Sequence, residues 1–233
     1  MNPNMGILLT GTIIPHSSFV VHADPKLRRE EYITAIKYYS QFCPVYFLEN
    51  SEYDIFADPE FSSLNNVTIR KFPVSPEYLL GKGYQEFEMI DKWLETEKNP
   101  PPRIIKITGR YIIKNFQQIF NECHDVDEDI CLIDLYCKPR VAISSLFSIT
   151  RDNYSRYFRG AYLECNDQIG IYIEHVLFKR IISSNLRTRC FQHEPRISGI
   201  NGSTGTNLSG NRIMHLIRTQ KRFIYHLFHR KFL

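Results

Sequence analysis

The chain alternates short apolar runs with segments whose apolar residues recur every three or four positions. Residues 6–14 form an almost unbroken apolar run around Thr10-Gly11-Thr12, the pattern of a buried strand. Asp24-Pro25 then supplies a helix start with proline in the first turn, and Tyr32, Ile33, Ile36 and Tyr39 keep helical spacing to about Phe42. Residues 44–48 and 67–72 predict two more strands, and 84–94 a helix. The stiff connector Asn99-Pro100-Pro101-Pro102 leads into a strand at 103–108. A helix at 112–121, a strand at 130–133 and helices at 152–163 and 170–184 complete the reading.

This alternation of strand and helix predicts an α/β fold with a parallel or mixed sheet covered by helices. Ligands of such sheets bind beyond the carboxyl ends of the strands. Four polar clusters fall at those ends: Thr10-Gly11-Thr12, Glu49-Asn50-Ser51, Thr108-Gly109-Arg110 and Asp134. Each alone is weak, and their convergence is the argument for one ligand site.

The chain has 233 residues, 43% of them hydrophobic, enough for a substantial core and too apolar for wholesale disorder. The formal net charge is +4, but residues 212–233 contain four Arg and two Lys without an acidic residue, so the remainder is slightly acidic. A basic folded domain would point to nucleic acid; this distribution points away from it. The six cysteines form no C-x-x-C pair and no zinc spacing, and several lie in apolar runs, as free cysteines of a reduced protein do. With no charged leader and no apolar run long enough to span a bilayer, a cytoplasmic location is expected. Two parts follow: a folded domain over 1–205 and a basic tail over 206–233. In the tail, Ile213, Met214, Leu216, Phe223, Ile224 and Tyr225 interleave with Arg218, Lys221, Arg222, Arg230 and Lys231. A basic amphipathic helix of this kind can rest on the inner face of the cytoplasmic membrane; a helix docked on the domain is the plain alternative.

Gly81-Lys82-Gly83 combines backbone freedom, a cation and the start of a helix, which suits a phosphate; an ordinary surface turn would look the same. No Walker ending follows it. Lys106 stands in an otherwise apolar strand, where a charge needs a partner, either a diphosphate or a carboxylate. Asp125, Asp127 and Asp129 precede the strand at 130–133 and read as a solvated turn. Asp134 lies at the strand's end but nearly alone; Mg²⁺ or Mn²⁺ would have to be held by it together with phosphates. Glu174, beside His175, and Asp167 are carboxylates that could act as a general base, and a helix-surface role for Glu174 is the alternative. Arg196 and Ser198 open a stretch to Gly205 that could close over a diphosphate or be a plain linker.

Glu49-Asn50-Ser51, Gly81-Lys82-Gly83-Tyr84 with Glu86 and Glu88 to Asp91, Lys106-Ile107-Thr108-Gly109-Arg110-Tyr111, Ile173-Glu174-His175-Val176-Leu177 and the loop from Ser198 to Gly205 together resemble a family of bacterial glycosyltransferases from capsule and lipopolysaccharide O-antigen gene clusters. The resemblance runs across most of residues 6–205. It implies a GT-A-like, Rossmann-type mixed sheet, a nucleotide-sugar donor such as a UDP-sugar, and a lipid-linked or oligosaccharide acceptor. The departure is the missing Asp-x-Asp after the strand at 130–133, which puts metal dependence in doubt. Without metal, Lys82, Lys106, Arg110 or Arg196 must stabilise the departing diphosphate. The donor site then takes Thr10, Gly11, Thr12, Glu49, Asn50, Lys82, Gly83, Lys106, Thr108, Arg110, Arg196 and Ser198. Glu174 is the expected base, with Asp167 and Asp134 as rivals. A nucleotidyltransferase and a non-enzymatic membrane-surface module are the competing functions.

Overall fold

The computed structural model describes residues 4–16, 20–200, 202, 204–208, 217–220 and 222. Strand β1 (Met5–Gly11) is buried along its whole length and leads to helix α1 (Pro25–Tyr39). The Asp24 carboxylate caps α1 by accepting the N–H groups of Lys26 and Leu27. Next come β2 (Val45–Glu49), the single turn α2 (Pro59–Ser62), β3 (Val67–Lys71) and helix α3 (Lys82–Thr96). Strand β4 (Arg103–Thr108), the two-residue β5 (Ile112–Ile113) and helix α4 (Phe116–Asp125) follow. Then β6 (Ile130–Tyr136) turns back into the ten-residue β7 (Val141–Thr150). A short turn α5 (Arg151–Asn153), helix α6 (Ile173–Ile182), β8 (Arg187–Arg189) and β9 (Ile197–Ser198) finish the described fold.

Seven strands form one sheet in the order β3-β2-β1-β4-β7-β6-β8. Every neighbouring pair is parallel except those of β7, which runs against both β4 and β6. Helices cover both faces. Ile7 and Leu9 pack with α1 and α4, whereas Leu8 between them packs with α3 and α6. Strands buried on both faces lose polar alternation and read as continuous apolar runs, as 6–14 does. The result is a Rossmann-type mixed sheet flanked by helices. The chain leaves β1 toward β2 on one side and returns through α3 to β4 on the other. The crevice between the carboxyl ends of β1 and β4 is therefore the switch point of the sheet.

Several sequence expectations shift. β1 ends at Gly11 rather than at residue 14. The helix expected from 112 begins at Phe116, because Ile112 and Ile113 pair with Ser198 and Ile197 as a small second ladder. The helix expected over 152–163 is broken: Gly160 adopts φ +72°, and a 3-10 turn follows at Ala161–Glu164. The one expected from 170 starts at Ile173, since Gly170 at φ +76° ends a separate turn. Strand β7, absent from the sequence reading, is central to the sheet. Its period-two pattern is interrupted where the β6–β7 register shifts between Ile133 and Leu135.

Among the described residues no helix is long and apolar enough to cross a membrane. All six cysteines are free. Of the basic tail, residues 217–220 and 222 are helical, whereas Arg212, Lys221, Arg230, Lys231 and the apolar positions 213–216 and 223–225 lie outside the described residues. Arg218 pairs with Glu194 at 3.1 Å, and Arg222 pairs with Asp134 at 2.8 Å. The described part of the tail thus docks on acidic residues of the domain.

Candidate functional site

A cavity of about 810 Å³ opens at the carboxyl ends of the central strands. Thr10, Gly11 and Thr12 contribute from β1 and the turn after it, Thr108 and Arg110 from the end of β4, and Asp134 from β6. The starts of α3 (Lys82, Gly83) and α6 (Ile173, Glu174) complete one wall, together with Asp167. Both helices present N-terminal N–H groups there; neither is capped by its own N-cap side chain, and in α3 the Lys82 N–H is taken by Asp167.

The cations differ in how they are held. Arg28, on the first turn of α1, is buried; it donates to the Thr12 and His22 carbonyls and the Tyr32 hydroxyl, and among the described residues it makes no ion pair. Desolvation lowers its pKa, with the nearby Arg110 cation acting in the same direction. Lys82 is likewise lowered by burial and, more weakly, by Arg110, while Asp167, Glu86 and Glu174 oppose the shift. Arg110 is buried and paired with Glu31 at 2.8 Å. Arg110 thus lies within range of both Arg28 and Lys82, and a bound anion would stabilise this group of partly desolvated cations.

Carboxylates lie beside these cations. Asp167 accepts the Lys82 N–H at 3.2 Å and packs against Gly81. At φ +116° Gly81 has room for no side chain, since a Cβ would lie 2.1 Å from the Asp167 carboxyl carbon. Burial raises the Asp167 pKa, with the Lys82 contacts opposing the shift. Glu174 accepts the Ser144 hydroxyl on Oε1 at 2.5 Å; its other oxygen makes no hydrogen bond among the described residues. Asp134 has both oxygens engaged by the Arg222 guanidinium at 2.8 Å each, and it also accepts the Phe191 N–H. Among the described residues no three His, Cys, Asp or Glu side chains gather as metal ligands. With Asp134 held by a guanidinium, this donor set does not fit a divalent-metal cage. Asp127 and Asp129 stay in the turn before β6, where Asp129 pairs with Arg187.

Most of the expected site residues meet here: Thr10, Gly11, Thr12, Lys82, Gly83, Thr108, Arg110, Asp134, Asp167 and Glu174 all line the cavity. Five others stand back from its surface. Glu49 is fully buried, accepts from the N–H groups of Ile13 and Ser51, and pairs with Lys71. Asn50 accepts the Thr12 hydroxyl at 2.6 Å and so orients the turn after β1. Lys106 is wholly buried and paired with Glu86 at 2.8 Å, which is the carboxylate alternative that its sequence context left open. Arg196 and Ser198 lie in and beside the small β5–β9 ladder, where the Arg196 backbone bonds to Lys114 and Asn115.

Sequence reasoning missed Arg28, Ser144 and Glu194 as cavity residues, and placed Arg222 only on a tail. Arg28 follows Asp24-Pro25 by one turn, so an N-terminal cation aimed at the end of β1 was readable in principle. Ser144 depends on β7, and Arg222 on a contact 88 residues away in sequence.

No family model and no curated protein matches the sequence. Among solved structures, HddC from Yersinia pseudotuberculosis is 10% identical, covering 65% of this chain and 79% of that one, with a TM-score of 0.40. A putative glucose-1-phosphate thymidylyltransferase from Bacillus anthracis, solved in complex with sucrose, is 13% identical over 94% of this chain and 95% of that one, with a TM-score of 0.42. Likeness at this level assigns no activity to the present chain.

Proposed function

We propose that this chain is a transferase acting on a nucleotide-linked sugar and, more finely, a glycosyltransferase that moves the sugar to an acceptor hydroxyl. The reading rests on one observation: a large cavity at the β1–β4 switch point whose wall brings the partly desolvated cations Arg28, Lys82 and Arg110 together with the carboxylates of Glu174 and Asp167. The donor is a nucleoside-diphosphate sugar, with UDP-sugars the first to test. Its diphosphate would lie near Arg28, Lys82 and Arg110 and the amino end of α3.

The acceptor O–H gives its proton to Glu174 as the oxygen bonds to the anomeric carbon. The bond from that carbon to the diphosphate oxygen breaks, and its electron pair leaves with the diphosphate. Cations fixed in advance stabilise the charge that develops there. Glu174 suits the base role better than Asp134, both of whose oxygens are taken up by Arg222; Asp167, with one oxygen engaged as in Glu174, is the remaining rival. One base and no protein nucleophile imply inversion at the anomeric carbon. The resemblance to capsule and O-antigen enzymes supports a lipid-linked or oligosaccharide acceptor; the tail cations other than Arg218 and Arg222, which pair with the domain, would then meet the membrane surface.

Nucleotidyl transfer is the second reading, and it is the activity named for the Bacillus anthracis neighbour. The products separate the two. Glycosyl transfer releases a nucleoside diphosphate from a nucleotide sugar; nucleotidyl transfer releases pyrophosphate from a nucleoside triphosphate and a sugar phosphate. We expect the first, with Glu174→Gln slowing release by about 10²–10⁴-fold while nucleotide binding persists. Pyrophosphate as the product, or full turnover by Glu174→Gln, would sink the assignment.

A further inference from the structure

The ladder between β6 and β7 loses its register opposite Asp134. Leu135 pairs with Ala142 and Ile133 with Phe147, so residues 143–146 of β7 are accommodated against one residue of β6. An irregularity of this kind re-aims side chains that a regular strand would send to opposite faces. Here Ile143, Ser144, Ser145 and Leu146 all reach the cavity wall. Ser144 is buried and bonded from two directions: its hydroxyl donates to Glu174 Oε1 at 2.5 Å, and its carbonyl accepts the Lys106 ammonium at 2.7 Å.

Lys106 is itself fixed. Its ammonium pairs with Glu86 at 2.8 Å, reaches the Thr108 hydroxyl at 3.3 Å, and lies 5.9 Å from the ring centres of both Phe87 and Phe147. Glu86 also accepts the Thr10 hydroxyl. An unbroken polar chain, Thr10–Glu86–Lys106–Ser144–Glu174, therefore links β1, α3, β4, β7 and α6 along the cavity wall. A buried lysine in contact with carboxylate, carbonyl and hydroxyl oxygens has little freedom to move, and the backbone it holds is that of Ser144.

We infer that Ser144 is a positioning residue that acts through Glu174. The register shift and the buried Lys106 fix its backbone, and its hydroxyl then holds one Glu174 oxygen so that the other faces the acceptor. The inference rests on the glycosyl-transfer reading of the same cavity. Ser144 touches neither donor nor acceptor in this scheme. Removing its hydroxyl leaves the base in place but free to turn.

The test measures UDP release from UDP-galactose and UDP-N-acetylglucosamine, with water as acceptor, by the full-length protein and its variants. Ser144→Ala is expected to lower kcat about ten- to hundredfold and to leave the donor KM within about twofold. Ser144→Thr, which keeps the hydroxyl, should stay near wild type. In a Glu174→Gln background Ser144→Ala should cost nothing further, because the group it orients is already gone. Thermal melts of all variants control for folding. Wild-type kcat in Ser144→Ala beside an inactive Glu174→Gln overturns the positioning role and leaves the base assignment standing. An equal loss from Ser144→Ala in both backgrounds also overturns it, since the effect would not pass through Glu174. Full turnover by Glu174→Gln, or no release by the wild-type protein from any nucleotide sugar, removes the parent reading instead.

Discussion

At the scale of single residues, the same chemical type serves different ends according to where it is buried. Glu49 ends β2 and Glu174 stands in the first turn of α6. One is locked by backbone N–H groups and Lys71; the other lines the cavity with one oxygen bonded to Ser144. Asp58 shows the electrostatic side of this. Arg29 grips it through two hydrogen bonds of 2.6 and 2.7 Å, and Tyr53 adds a third, which holds its pKa well below the usual carboxylate value. A depressed folded-state pKa stabilises the protein above the unfolded value of about 3.9, and that contribution is lost as the pH falls toward the folded one. Asp58→Asn should therefore melt about 2–4 °C lower than wild type at neutral pH. The gap should close as the pH drops from about 5 toward 2. Melting curves across that range check it, and a gap that widens in acid would contradict the pairing.

At the scale of elements, the site depends on how closely β1 and β4 approach at their carboxyl ends. The Gly109 N–H donates to the Thr10 carbonyl at 3.0 Å, and a Cβ on Gly109 would stand 2.5 Å from that same oxygen. The obstruction is backbone, which cannot rotate away as a side-chain tip would. Gly109→Ala should force the two strands apart where Thr10 and Thr108 line the cavity. We expect a loss of about 1–3 kcal/mol in urea unfolding, and weaker nucleotide binding with it. Wild-type stability and binding in this variant would show that the crevice is looser than described. The broken helix after β7 makes a related point. Gly160, with positive φ, breaks the helix that the hydrophobic pattern predicts over 152–163, and Gly170, also with positive φ, delays the next one, so that α6 begins at the cavity.

At the scale of the whole molecule, the cavity is assembled from segments spread over the sequence from Thr10 to Arg222. A ligand that bridges them should stabilise the folded state broadly. UDP and other nucleoside diphosphates are expected to raise Tm by roughly 5–10 °C at about a hundred times their Kd, and free nucleosides much less. Because both Asp134 oxygens are held by Arg222, added Mn²⁺ should leave the UDP shift unchanged. A shift seen only with Mn²⁺ would mean that Asp134 leaves Arg222 when the nucleotide binds.

What the sequence determined by itself was local. Continuous apolar runs meant doubly covered strands, helical spacing meant covering helices, and polar clusters at the run ends meant one site. Ten of the expected site residues, Thr10 to Glu174, do line a common cavity. Only the tertiary structure decided which charges are spent internally. Glu49 and Lys106 are consumed by partners, and Arg222 comes back from the tail to Asp134. It also decided the place of β7, whose pattern breaks where it matters most. The physical reason is range: backbone periodicity is encoded over a few residues, whereas the partner of a buried charge is chosen by strand order and register across the whole sheet.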